Sequence, residues 1–218
     1  MNIYLIRHAR QASTLCNVNV SLSEAGESQA RLLAKRLEHY SIDAIYSSDL
    51  LRAVETAGII NKHLIKTVGR RCPYVISKSL REFDYGELEG IENDEVKKQY
   101  HEFFEERDKY ERDLKFPGGE CGQQVFERAY QELLGMTDEK YQNIAVVTHG
   151  GTIRSLLTGL LGLDQAKKLL FGLTLENCSI TQLYYNKHNK RFYLERFNDF
   201  AHLEGHQELL RRNWTKEN

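Results

Sequence analysis

The 218-residue chain has no excess charge of one sign. Its 30 Lys and Arg stand against 31 Asp and Glu, for a formal net charge of -1 at pH 7. Near-neutrality removes any global argument for nucleic-acid or lipid binding, so basic character must be local where it matters. Cysteine is sparse. Cys16, Cys72, Cys121 and Cys178 are scattered and form no C-x-x-C pair. That spacing argues against zinc and against a disulfide framework, and for a reduced, cytoplasmic chain. No charged leader precedes a long apolar stretch, and no run approaches the ~20 apolar residues that cross a bilayer, so neither signal peptide nor membrane span is expected. Internal repeats and low-complexity segments are missing as well. A chain of this length can bury one substantial core, and a single domain over residues 1–218 is expected.

Three short apolar runs are what the sequence offers instead. Asn2-Ile3-Tyr4-Leu5-Ile6 leads into Arg7-His8. Asp43-Ala44-Ile45-Tyr46-Ser47-Ser48 leads into Asp49-Leu50-Leu51-Arg52. Asn143-Ile144-Ala145-Val146-Val147 leads into Thr148-His149-Gly150-Gly151. Each reads as a buried strand, and in an open α/β sheet the ligand crevice lies beyond the carboxyl ends of the strands. Two histidines and two arginines are thereby delivered to one edge. Arginine supplies permanent charge and a fork of donors, and histidine can give, take or attack near neutral pH. The pattern describes a phosphate site.

Helices fill the intervals. Ser23 can cap one that runs through Ala30, Leu33, Ala34 and Leu37 to about Tyr40. Ser48 or Asp49 can cap a second, carrying Leu51, Ala53, Val54, Ala57 and Ile60. Tyr74-Val75-Ile76 is a short strand. Residues 92–115 are charged and aromatic, look helical and carry no strand signal. An insertion that covers the sheet edge without joining the sheet fits them. A helix over 123–136 precedes the third run, and another over about 152–161 follows it. Residues 178–185 and 191–197 alternate in period two and read as a hairpin. Residues 213–218 are expected to fray.

Each chemical residue has a bland alternative. A histidine after a strand is commonly just hydrogen-bonded, Gly150-Gly151 could merely make a tight turn, and Glu82 could pair with Arg81 on the surface. Arg52 is more telling, because a basic residue in the first turn of a helix is disfavoured unless it faces an anion. The two glycines would also leave amides open to a ligand at a helix start. The coincidence of three strand ends outweighs the alternatives taken singly.

The motifs Leu5-Ile6-Arg7-His8, Leu22-Ser23-Glu24-Ala25-Gly26, Ser47-Ser48-Asp49-Leu50-Leu51-Arg52-Ala53-Val54-Glu55-Thr56-Ala57, Leu80-Arg81-Glu82-Phe83, Pro117-Gly118-Gly119-Glu120 and Val147-Thr148-His149-Gly150-Gly151 together resemble the histidine phosphatase superfamily, in its cofactor-dependent phosphoglycerate mutase-like branch. The resemblance implies an α/β three-layer sandwich with a mostly parallel, mixed central sheet between helices. A helical insertion at about 90–118 would cap the active site. It implies His8 as nucleophile, Arg7, Arg52 and His149 on the phosphate oxygens, and Glu82 as the acid for the leaving alkoxide. Gly150, Asn17 and Arg10 are candidate substrate contacts, and His202 reads as structural. No metal and no cofactor is expected, since two guanidiniums and an imidazole can supply the charge.

The implied activity is that of a phosphomonoesterase of the histidine acid phosphatase type, hydrolysing a small phosphorylated metabolite through a phosphohistidine. The short, acidic and aromatic insertion favours it over a phosphoglycerate mutase, and a ribazole phosphatase-like role is compatible. A non-catalytic phosphoprotein-binding module is the reading from another class. The expected partner is the metabolite alone, with no nucleic acid or membrane, in a monomer or homodimer. Departures from the family pattern lie after His8, where Ala9-Arg10 replaces the usual glycine and acidic or amide residue.

Overall fold

The computed structural model describes residues 1–69, 71–138 and 140–211, so the expectation for 213–218 falls outside the described residues. One six-stranded sheet organises the chain in the order β3-β2-β4-β1-β5-β6. Strands β1 (Asn2–Arg7), β2 (Ala44–Ser47), β3 (Tyr74–Ile76) and β4 (Asn143–Thr148) run parallel. Strands β5 (Ile180–Asn186) and β6 (Arg191–Asp199) form the hairpin, with β5 antiparallel to β1. The pairing slips twice between Ile180 and Leu183, an irregularity the alternating sequence does not announce.

Period-two alternation sorts the strand residues into two layers. Tyr4, Ile6, Ile45, Ala145 and Val147 face helices α1 (Glu24–Leu37) and α2 (Leu51–Val68), where Leu33, Leu37, Ala57 and Ile60 are buried. Ile3, Leu5, Ala44, Tyr46, Ile144 and Val146 face the other way. They meet Leu133 and Met136 of helix α5 (Gly122–Thr137) and Ile153, Leu156 and Leu157 of helix α6 (Gly150–Leu160). The result is the three-layer sandwich with a mixed central sheet. Registers Arg7↔Thr148 and Ser47↔Val147 bring the carboxyl ends of β1, β2 and β4 level, so the three motifs emerge side by side.

Two helix starts differ from expectation. Ser23 caps α1 as foreseen, its hydroxyl accepting from Gly26 N at 3.1 Å. Neither Ser48 nor Asp49 caps α2. Leu50 occupies the cap with no side-chain bond, and the Ser48 hydroxyl accepts from Leu50 N at 3.3 Å, just outside the helix. Asp49 is engaged elsewhere, accepting both Arg81 Nε and Nη2 at 2.6 Å. Helix α6 begins at Gly150, two residues before the expected start, because the glycines themselves adopt its first turn.

The stretch after β3 holds two short helices, α3 (Asn93–Gln99) and α4 (His101–Arg107), and no strand among the described residues. Its apolar side chains make a third cluster. Val96 and Phe116 are buried against Phe83, Leu88 and Val125, with Tyr100, Phe103 and Phe104 packed around them. A bridge between Leu15 and Glu92 ties the stretch to the loop after β1. His202 lies away from the site, receiving a bond from Arg36 Nη1 at 3.2 Å beside Asp199.

Candidate active site

At the carboxyl end of β1, the backbone holds His8 from both sides. His8 N donates to Thr148 O at 2.9 Å, and Asn177 Nδ2 donates to His8 O at 2.7 Å. The His8 ring lies with Nδ1 2.7 Å from Ala9 O. A proton on Nδ1 satisfies that carbonyl and leaves Nε2 with its lone pair. Burial, then the charges of Arg52 and Arg7, hold the imidazole well below its ordinary pKa, so it is neutral at pH 7. A neutral, oriented imidazole of this kind is chemically able to attack phosphorus.

The His149 ring stands 4.9 Å from that of His8, centroid to centroid. It too is fully buried, and burial followed by the Arg52 charge lowers its pKa well below the ordinary value. Arg52 is 2% exposed in the first turn of α2. Its Nη1 donates to Val18 O at 3.0 Å and its Nη2 to Asn17 Oδ1 at 2.6 Å. Arg7 donates through Nη1 to Leu175 O. These bonds fix both guanidiniums while leaving part of each fork unused. Arg7 Nε, Arg52 Nε and both ring nitrogens of His149 are buried without a hydrogen-bond partner. Buried polar atoms left unpaired are costly, and the two guanidinium N–H donors together with the single N–H of a neutral His149 define a place for an anion.

Glu82 arrives from the loop after β3. That loop is strapped down by Arg128, which donates to the carbonyls of Ser79, Arg81 and Glu82 at 2.8–2.9 Å and to the Glu120 carboxylate at 2.9 Å. The Pro117-Gly118-Gly119-Glu120 motif acquires its reason here. A β-carbon on Gly119 would lie 2.1 Å from Asp84 O, so only glycine lets the two loops cross. Thr152 Oγ1 adds a bond to Arg81 O at 2.6 Å. The Glu82 carboxylate accepts Gly151 N at 3.1 Å and Thr152 N at 3.2 Å. Those amides are therefore taken by protein and not held open for a ligand. The surface pairing of Glu82 with Arg81 does not form, because Arg81 belongs to Asp49.

The remaining candidates land differently. Gly150 lines the site: a β-carbon there would lie 3.5 Å from Arg7 Nε and 3.7 Å from Arg154 Nη1. Asn17 adopts a positive φ of 49° and spends its amide group on Phe83 O (3.0 Å) and Glu89 (2.6 Å), so it orients Arg52. Arg10 ties its backbone to Gln29 (2.9 Å) and Ser23 (2.9 Å), and its charge reaches Arg211. A cavity of about 200 Å³ adjoins Arg7 and Glu82 and is lined also by Tyr85, Arg107, Phe116, Arg154, Lys168 and Arg211. None of these six stood among the candidates read from the sequence. Arg154 carried only a weak signal, since it follows His149 by five residues and lies just past the first turn of α6, where the dipole effect has faded. Arg211, at the far end of the chain, carried none. Among the described residues no group of three or more His, Cys, Asp or Glu side chains could hold a metal ion.

A model of the histidine phosphatase superfamily (branch 1) matches residues 3–199, and the chain belongs to that superfamily. Phosphoserine phosphatase 1 of Hydrogenobacter thermophilus is 30% identical over 182 residues, covering 79% of this chain and 82% of that one. The phosphoglycerate mutase-like protein 4 of Arabidopsis thaliana is 36% identical over 143 residues, which span 64% of this chain but 60% of the relative. Among solved structures, YhfR of Bacillus stearothermophilus superposes with a TM-score of 0.78 at 25% identity, covering 93% of this chain and 99% of that one.

Proposed function

We propose that the protein is a phosphomonoesterase that removes the phosphoryl group from a small phosphorylated metabolite through a phosphohistidine on His8. The observation that carries the reading is the set of unpaired buried nitrogens of Arg7, Arg52 and His149 around a neutral, Nδ1-anchored His8. His8 Nε2 attacks phosphorus as the ester P–O bond breaks, and the leaving alkoxide takes a proton from Glu82. Water then attacks the phosphohistidine, giving its proton back to Glu82 and releasing phosphate and neutral His8. Arg7, Arg52 and His149 hold the equatorial oxygens and neutralise their charge throughout, the role electrostatics plays in phosphoryl transfer. Asn17 positions Arg52, and Gly150 leaves room beside Arg7.

Hydrolysis is favoured over mutase action by the insertion. The end of its second helix presents Arg107 and the loop beyond presents Phe116 to the cavity, and residues 90–118 act as a cap over a single domain. The named phosphoserine phosphatase among the relatives supports the same choice. No helix among the described residues is long and apolar enough to cross a membrane. A reducing, cytoplasmic setting suits the free thiols of Cys16, Cys72, Cys121 and Cys178. A monomer or a homodimer is the proposed assembly.

The test is a labelling experiment with radioactive phosphomonoester in the presence of chelator, with a mutase assay on phosphoglycerates alongside. The expected result is an acid-labile, base-stable phosphoenzyme that forms without added metal and is absent from His8→Ala. Label on an acid-stable serine or threonine ester, or activity lost to chelation and restored by magnesium, would overturn the mechanism. Efficient transfer between phosphoglycerates would replace hydrolysis by mutase action.

A further inference from the structure

Three buried polar side chains lie outside the phosphate site. Gln29 of α1, Thr56 of α2 and Asn177, in the segment that leads into β5, are each at most 1% exposed. A buried polar group costs free energy unless it is bonded, so each needs a partner to hold it there. All three reach the same short stretch of backbone, the two peptide units that follow His8.

The unit between His8 and Ala9 is gripped at both ends. Asn177 Nδ2 donates to His8 O at 2.7 Å, and Ala9 N donates to Thr56 Oγ1 at 3.0 Å. The unit between Ala9 and Arg10 is gripped likewise. Arg10 N donates to Gln29 Oε1 at 2.9 Å, and Ala9 O lies 2.7 Å from Nδ1 of the His8 ring. Each gripping side chain is aimed by a second bond. The Thr56 hydroxyl gives its proton to Arg52 O at 2.6 Å and so turns a lone pair to Ala9 N. Gln29 Nε2 donates to Leu209 O at 2.8 Å, which leaves Oε1 for Arg10 N. Arg211 Nη1 donates to Asn177 Oδ1 at 3.3 Å, which leaves Nδ2 for His8 O. Buried Cys178, next along, takes a positive φ of 59°, a costly conformation for a residue with a β-carbon, and its N donates to Arg7 O at 2.9 Å. A neutral imidazole carries its proton on either nitrogen, and the partner of one nitrogen decides which. Here that partner is Ala9 O, and its place depends on the two gripped units.

We infer that Gln29, Thr56 and Asn177 are positioning residues for the nucleophile: by fixing the two peptide units after His8 they hold the Ala9 carbonyl that keeps the ring proton on Nδ1 and leaves the Nε2 lone pair for attack. The inference rests on the phosphatase reading and deepens it. α1, α2 and the segment before β5 contribute one grip each, so the His8 ring takes its aim from three elements and not from β1 alone. None of the three side chains touches the phosphate, and their effect on rate passes entirely through the tautomer and aim of His8.

Long-range proton–nitrogen NMR of the full-length, isotope-labelled protein at neutral pH reads the tautomer directly, with His8→Ala assigning the signal. Wild type is expected to carry the His8 ring proton on Nδ1. Thr56→Val and Asn177→Asp keep the side-chain shape but lose the acceptor and the donor, and each is expected to give a mixture containing protonated Nε2. Thr56→Ser, which keeps the acceptor, is expected to return the single Nδ1–H form. Rapid-quench labelling is expected to show phosphoenzyme formation slowed about tenfold in Thr56→Val and in Asn177→Asp, the value of one hydrogen bond. The double variant is expected to lose less than the product of the two, because both act on one peptide unit. Competitive inhibition by inorganic phosphate should stay at the wild-type value, since Arg7, Arg52 and His149 are untouched. A wild-type tautomer and burst rate in both variants would overturn the inference. So would phosphate inhibition that weakens as much as the burst slows, since that marks damage to the phosphate site. If Asn177→Asp does not fold, Thr56→Val and Gln29→Met decide by the same readings. Absence of labelled phosphoenzyme from wild type would overturn the phosphatase reading, and the tautomer measurement would still decide the role of the three side chains.

Discussion

Gly151→Ala should disable the proton donor without touching it. An added β-carbon would stand 2.4 Å from Glu82 Oε1 and 2.6 and 2.9 Å from Phe83 ring atoms, where ordinary contact begins at 3.4 Å. The Phe83 ring is 3% exposed and packed against Phe116, so it cannot yield cheaply. The Glu82 carboxylate is the more movable neighbour and must retreat by about 1 Å, while the first turn of α6 shifts to clear the Phe83 ring. That retreat breaks its bonds from Gly151 N and Thr152 N, which set its aim. A misplacement of about 1 Å costs on the order of 10²-fold in rate. The loss should fall on phosphoenzyme formation from an alkyl phosphate, whose alkoxide needs a proton. p-Nitrophenyl phosphate, whose leaving group departs unprotonated, should lose only a few-fold. Rapid-quench burst kinetics isolates that step from later hydrolysis. Gly150→Ala supplies the contrast. Its β-carbon meets nothing closer than 3.5 Å, and the ratio between the two substrates should stay at the wild-type value. Equal losses on both substrates in Gly151→Ala, or none, would refute the assignment of Glu82 as general acid.

Two further outcomes follow from neighbouring geometry. Asn17→Gly keeps the positive φ but deletes the 2.6 Å acceptor of Arg52, so kcat/KM should fall about tenfold for every phosphomonoester alike, since all share the phosphate; a loss confined to one substrate would place Asn17 at the leaving group instead. His202 has its pKa lowered to about 4 by burial and by Arg36. Its unfolded form binds a proton below about 6.5, so stability must fall as pH drops from there toward 4 and level off below. Between pH 7.5 and 5 the loss should be about 2 kcal/mol in denaturant melts, and His202→Gln should remove that share of the slope while leaving the parts due to buried, neutral His8 and His149.

The parts of this molecule that sequence made legible are those in which local chemistry and periodicity point the same way. β1, β2 and β4 are short apolar runs, and their alternate residues go to opposite layers because a strand leaves no other choice. The sites at their ends follow from parallel registry alone. His8, Arg52 and His149 could be brought together on paper, because each directly follows a strand or opens the next helix. The cap of α2 departs from its local propensity because of a contact 32 positions along the chain. Asp49 is a good cap by propensity, but a bidentate bond to Arg81 is the stronger use of a carboxylate. Glu82 then loses its surface partner and is free to turn inward.

What stayed hidden is whatever depends on distant chain segments meeting. Arg154 issues from α6, Arg211 from the far end of the described chain, and Arg107 from the insertion, yet all line one cavity with Arg7. Spacing cannot register a convergence of residues separated by 47 and 57 positions. The distinction is functional as well as geometric. The groups proposed to act on the phosphate must be held to a fraction of an ångström, and they stand at or beside the rigid ends of the sheet, with the Glu82 loop strapped down by Arg128. The rest of the cavity wall comes from a helix flank, an insertion and the segment around Arg211, elements that can change without disturbing the sheet. A chain built this way can keep one phosphoryl-transfer chemistry while its substrate is reset by a few cations at the cavity wall.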